Sequence, residues 1–89
     1  MSWGAETYKK YAEEDIRSAL NAFADSEKYG MVLRAKGYVP AADGGEWVYF
    51  DYTPGEVNVR RGAPDVTGRI CVIGSGIREE DLKELFHVG

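Results

Sequence analysis

The run Met31-Val32-Leu33-Arg34-Ala35-Lys36-Gly37-Tyr38-Val39 lies between Gly30 and Pro40. Met31, Leu33 and Ala35 alternate with Val32, Arg34 and Lys36, which is the period of two of a half-buried strand. Gly30 suits the residue that ends a preceding helix, and Pro40 stops the strand because it offers no backbone N–H. Two turn signals follow at short intervals. Asp43-Gly44-Gly45 precedes a second strand, Trp47–Tyr52, and Pro54-Gly55 precedes a third, Glu56–Arg60. Proline presets φ and glycine accepts a positive φ, so Pro54-Gly55 suits the centre of a tight turn. Connections this short make the strands antiparallel.

The flanking segments complete one small domain. Trp3 to Tyr8 reads as extended, with Trp3, Ala5 and Thr7 on one side. Glu13-Glu14-Asp15 opens a helix where the positive end of the dipole favours acids. Ile16, Ala19, Leu20 and Phe23 share one face of it, Arg17, Asn21 and Asp25 the other, and Gly30 ends it. Gly62 to Gly68 reads as a loop, and Arg69-Ile70-Cys71-Val72-Ile73 as a buried central strand. Gly74-Ser75-Gly76 turns the chain into a short helix, Arg78 to Phe86, with Leu82, Leu85 and Phe86 inward. The predicted order is β-α-β-β-β-β-α. The fold class is α+β: a single mostly antiparallel sheet of four to five strands with two helices on one face. The chain's 89 residues suffice for one domain, 1–89, hiding about 60–65% of its unfolded surface. Two helices cover one side of such a sheet, so the other is expected to stay open.

Alternation assigns the faces. Leu33 and Ala35 should face the helices with Val48 and Phe50, and Arg34 and Lys36 should point away with Trp47, Tyr49 and Asp51. Arg34, Lys36, Trp47 and Tyr49 are therefore the candidate partner-binding residues, because arginines and large aromatics anchor interfaces. The competing reading is a solvated sheet face held by cross-strand pairs and cation–π contacts. A shift of one residue in register would invert either assignment.

Other chemistries find little support. A net charge of −4 disfavours nucleic acid, whose binding draws on lysines and arginines that neutralise phosphates. One cysteine precludes an internal disulfide, and no apolar run approaches the roughly 20 residues of a membrane span. Met1-Ser2-Trp3-Gly4-Ala5 lacks the features of a signal peptide, so the chain reads as soluble and cytoplasmic. Gly74-Ser75-Gly76 superficially resembles a phosphate turn, but Glu79-Glu80-Asp81 would repel a phosphate there, and there is no P-loop run. Cys71 reads as a small core residue and His87 as an exposed tail residue. They do not make a metal site of the Cys/His kind, and no metal-ligating or catalytic residue is assigned.

Leu33-Arg34-Ala35-Lys36-Gly37, then Glu46-Trp47-Val48-Tyr49-Phe50-Asp51-Tyr52, then Cys71-Val72-Ile73-Gly74 and a short acidic helix resemble the C-terminal domain of the CobW family. The likeness covers roughly residues 2–87, including the Trp3-Gly4-Ala5-Glu6-Thr7 entry. Its signature positions here are Arg34, Lys36, Gly37, Ile73 and Gly74. The resemblance implies an accessory domain of P-loop GTPases linked to metal handling, including cobalamin synthesis, nitrile hydratase activation and zinc homeostasis. GTP and a divalent metal are then expected on the family's GTPase domain and no cofactor on this one. The implied partner is a CobW-type GTPase domain, in cis or in trans, or a metalloprotein client. A possible homo-oligomer and a weak metal site of carboxylates with His87 or Cys71 are the alternatives. Some members of the family have histidine-rich segments in or before this domain; this sequence does not, which speaks against a metal-storage role.

Overall fold

The computed structural model describes residues 1–89. Strand β1 covers Ser2–Thr7, α1 Glu13–Ala22, α2 Ser26–Tyr29, β2 Met31–Val39, β3 Trp47–Thr53, β4 Glu56–Gly62, β5 Gly68–Ser75 and α3 Glu79–Phe86. All five strands join one sheet in the order β1-β5-β2-β3-β4, and every neighbouring pair is antiparallel. The expected α+β class holds. Strands β2, β3 and β4 form a meander, with Thr53 paired to Glu56 around Pro54-Gly55. The helical segment carries the chain from β1 to β2 and leaves a gap of one strand between them, which β5 fills.

The predicted single helix ending at Gly30 is in fact two. Helix α1 stops at Ala22, and Asp25 starts α2 by accepting a hydrogen bond from the Lys28 N–H at 3.2 Å. An aspartate that caps a new helix competes with continuation of the old one, which explains the break. Gly30, with φ 84°, still ends the helical region. At the entrance of α1 the Asp15 carboxylate accepts from the Ala12 N–H at 3.3 Å, so one of the three acids also caps the backbone.

The core lies between the sheet and the helices. Trp3, Ala35, Val48, Phe50, Ile70 and Val72 of the strands meet Ile16 and Leu20 of α1 and Leu82 and Phe86 of α3, all buried. Phe86 is the hub. Its ring centroid lies 6.2 Å from Trp3, 6.2 Å from Phe23 and 6.5 Å from Phe50, so one side chain ties β1, the end of α1, β3 and α3. The end of α3 is fastened as well. The Tyr11 hydroxyl donates to the Phe86 carbonyl at 2.6 Å, satisfying a C=O that the helix leaves without a partner. His87 follows in the left-handed region, φ 56°, and the Val88 N–H closes back on the Lys83 carbonyl at 2.9 Å.

Arg61 locks the rim of the inner face. It follows Arg60 in β4 and therefore points to the other side of the sheet. Its guanidinium grips Asp43 in two-pronged fashion, at 2.9 and 3.1 Å, and reaches Glu13 at 3.2 Å. Its Nε donates to the Glu46 carbonyl at 2.8 Å. One side chain thus joins α1, the loop before β3 and β4. The Arg61 guanidinium and the Gly45 N–H hold the Asp43 carboxyl below the usual carboxylate range.

Two outcomes are expected. Tyr11→Phe should cost about 1–2 kcal/mol, the range for a buried hydrogen bond, and lower the thermal midpoint by several degrees. A midpoint unchanged within error would contradict the cap. Burial raises the Tyr11 pKa, so its contribution is present below about pH 10 and fades as alkali ionises it. For Asp43 the sign is opposite. A lowered folded pKa gives stability that is present above about pH 4 and is lost as acid protonates the carboxylate. In denaturant titrations the gap between the natural chain and Asp43→Asn should be widest at neutral pH and close below about pH 4. A gap independent of pH would contradict the ion pair.

Candidate functional site

The face of the sheet turned away from the helices is uncovered, and it carries the expected candidates. Arg34 and Lys36 are exposed on β2, and Trp47, Tyr49 and Asp51 are half-buried on β3. The structure therefore brings the four predicted residues onto one surface. Antiparallel register sets them in rows: Lys36 lies opposite Asp51 on one side and Cys71 on the other, and Arg34 lies opposite Ile73.

One predicted assignment fails within β2. Leu33 does not face the helices. It is 52% exposed, and Val32 takes the inward place at 2%. The cause is a β-bulge: the register with β5 slips between Val32 and Arg34, so Leu33 and Arg34 together face Ile73. The bulge absorbs one residue, which is why Ala35 is inward and Lys36 outward as expected even though Leu33 is not. Cys71 also departs from expectation. Strand β5 is central but buried on one side, with Ile70 and Val72 inward and Cys71 and Ile73 on the open side. Cys71 is thus half-buried on the open side, not in the core. Met31, Leu33 and Ile73 consequently form an apolar corner on the open face, 54, 52 and 43% exposed.

The rest of the face is organised by its own contacts. Asp51 sits between two arginines, with Arg34 Nη2 at 3.3 Å and Arg60 Nη2 at 3.1 Å. Arg60 also donates to Asn58 at 2.8 Å, and Arg69 pairs with Glu6 at 3.4 Å. These pairs are solvated and each stabilises little. Lys36 makes no ion pair. At the far end Tyr38 stacks on Tyr49 with centroids 5.4 Å apart, and Trp47 leans on Tyr38 at 6.4 Å. The Tyr49 hydroxyl donates to the Ala63 carbonyl at 2.7 Å, and its ring lies over Gly62, where an added Cβ would meet the ring at 2.6 Å. Cross-strand stacks and ion pairs, not cation–π contacts, hold this surface; the cation–π pair of the structure is Lys28 over Tyr29, away from the face.

The two signature glycines have packing reasons. A Cβ on Gly37 would strike the Arg69 carbonyl of β5 and come within 2.6 Å of the Phe50 ring. A Cβ on Gly74 would strike the Met31 carbonyl and lie 2.9 Å from Ile77. Both sit where β2 and β5 approach each other and the core leaves no room. Arg34, Lys36 and Ile73 stand on the open face. No three His, Cys, Asp or Glu side chains converge as a metal site would require, and no helix is long and apolar enough to cross a membrane.

Comparisons with known proteins agree with this fold. Zn(II)-bound YjiA GTPase from E. coli superposes with a TM-score of 0.76 at 20% identity, over 97% of this chain and 28% of that one. A Zn(II)-bound triple mutant of YjiA GTPase gives a TM-score of 0.78 at 18% identity, again over 97% and 28%. Likeness at this identity speaks for the fold, and this chain spans 28% of the length of those proteins. No curated protein matches the sequence. The model of the cobalamin synthesis protein cobW C-terminal domain matches residues 2–88, and the chain belongs to that family.

Proposed function

We propose that this chain is a non-catalytic accessory domain of a CobW-type GTP-binding protein, and that it docks through its open sheet face onto the GTPase domain in cis. The observation that carries this reading is the sheet covered by helices on one side only, with Arg34, Lys36, Trp47 and Tyr49 gathered on the other. YjiA, described as a GTPase, contains this fold as 28% of its chain. The residues here offer no cradle for a triphosphate, so GTP and its metal belong to the partner domain. The role in cobalt or zinc handling, or in metallocofactor assembly, is then exercised by the joined protein, with this domain supplying contacts to the GTPase domain or to a metalloprotein client.

The contact residues have distinct parts. Arg34 and Lys36 present cations on a protein of net charge −4, so they favour an acidic partner surface and its orientation. Trp47 offers a flat apolar edge. Tyr49 is already bonded to the Ala63 carbonyl and serves mainly to hold its neighbours in place.

Titration of the chain with a CobW-type GTPase domain, followed by calorimetry, tests the reading. Saturable binding is expected, and Arg34→Ala should weaken it about tenfold, the loss of roughly 1.4 kcal/mol that an interface arginine commonly carries. Arg17→Ala, on the exposed side of α1, should leave it unchanged. Binding that neither Arg34→Ala nor Trp47→Ala weakens would place the interface elsewhere.

A further inference from the structure

We infer that the apolar corner Met31–Leu33–Ile73 is the seat of the domain that precedes this one in a CobW-type chain. The inference rests on the accessory reading and narrows it to one end of the open face. Three features point there.

The first is that the corner is unfinished. The aromatic end of the face satisfies itself through the Tyr38–Tyr49 stack, the Tyr49 hydroxyl bond and the glycine beneath the ring. The corner has no such arrangement. Leu33 and Ile73 lie side by side through the bulge, and Met31 stands opposite Ser75, two residues on from Ile73 and the next position on the same face. About half of each side chain is exposed. Scattered exposed apolar residues are ordinary, but neighbouring ones rimmed by charge mark contact sites. The rim is cationic: Arg34 shares Asp51 with Arg60, and Lys36 has no ion pair. The expected partner surface is therefore apolar at its centre and acidic at its edge.

The second feature is the bulge. Counted from inward Val32, unbroken alternation would give Arg34 the inward place. The extra residue keeps both Leu33 and Arg34 on the open side, which sets an apolar centre beside its cationic rim. The third is the route of the chain. The Met1 carbonyl accepts the Gly74 N–H at 2.9 Å, so β1 begins beside Gly74 and one residue from Ile73. The family is a C-terminal domain, so the remainder of a longer member precedes β1 and arrives at this corner. A surface tethered so near meets the corner at high effective concentration, and a small apolar contact then suffices.

The test is a titration of the isotopically labelled 89-residue chain with a CobW-type GTPase domain that hydrolyses GTP on its own. Saturable chemical-shift changes should centre on Met31, Leu33 and Ile73. Leu33→Ser and Ile73→Thr should each weaken binding about tenfold, while Trp47→Ala changes it less than about threefold. Each variant's thermal midpoint is measured alongside, and shift mapping on the natural chain stands if a variant is destabilised. Shifts centred on Trp47 and Tyr38, with Leu33→Ser binding normally, would overturn the inference and leave the accessory reading intact. Shifts at the corner that grow with the chain's own concentration, without partner, would assign it to a second copy and overturn the inference. Absence of saturable binding anywhere would overturn the accessory reading itself.

Discussion

The structure depends on a single packing contact, the Phe86 ring wedged among Trp3, Phe23 and Phe50. Those four residues come from the first strand, the end of the first helix, a middle strand and the last helix. That wedge fills the core where the chain's two ends meet under the sheet. A buried phenylalanine contributes roughly 3–5 kcal/mol when truncation leaves a cavity, against a total of about 5–15 kcal/mol for a small domain. The Tyr11 hydroxyl on the Phe86 carbonyl fixes the same point from the backbone side. Arg61 does the equivalent at the opposite rim with Asp43, Glu13 and the Glu46 carbonyl.

Because all three helices gather around that wedge, one side of a five-stranded sheet is left bare. An antiparallel sheet tolerates this if the bare side has its own polar and aromatic order. Most of the bare side meets that condition. Asp51 between Arg34 and Arg60, the Glu6–Arg69 pair and the Tyr38–Tyr49 stack are the cross-strand contacts a solvated face uses. Met31, Leu33 and Ile73 do not meet it, and the same bulge that exposes Leu33 keeps Arg34 beside them. The proposed docking of a preceding domain would give that corner a reason to be apolar.

Much of this was legible in the residues. Alternation in Met31–Val39 and Trp47–Tyr52, with Pro54-Gly55 between hairpin arms, gave the meander and put Arg34, Lys36, Trp47 and Tyr49 on one side. The limits were physical. A bulge leaves no compositional mark, so strict alternation sent Leu33 inward. The run Ile70-Cys71-Val72-Ile73 is uniformly apolar, and apolarity alone does not say that one side of a central strand is uncovered; Cys71 was misplaced for that reason. The helix break turned on the Asp25 cap, which is locally indistinguishable from a polar residue on an exposed helix face. Arg61 could have been noticed from its adjacency to Arg60, since two successive arginines in a strand must point to opposite sides. Its partners Asp43 and Glu13 are distant in sequence and come together only in the fold.

The bare corner is the central claim, and solvent access to its methyl groups tests it most directly. A soluble paramagnetic probe should strongly broaden the Leu33 and Ile73 methyl signals of the 89-residue chain while sparing Val32 and Val72, and should lose its effect on Leu33 and Ile73 when the chain is joined after a GTPase domain. Protection of Leu33 in the chain alone would contradict the bulge. Equal broadening in both forms would contradict the docking.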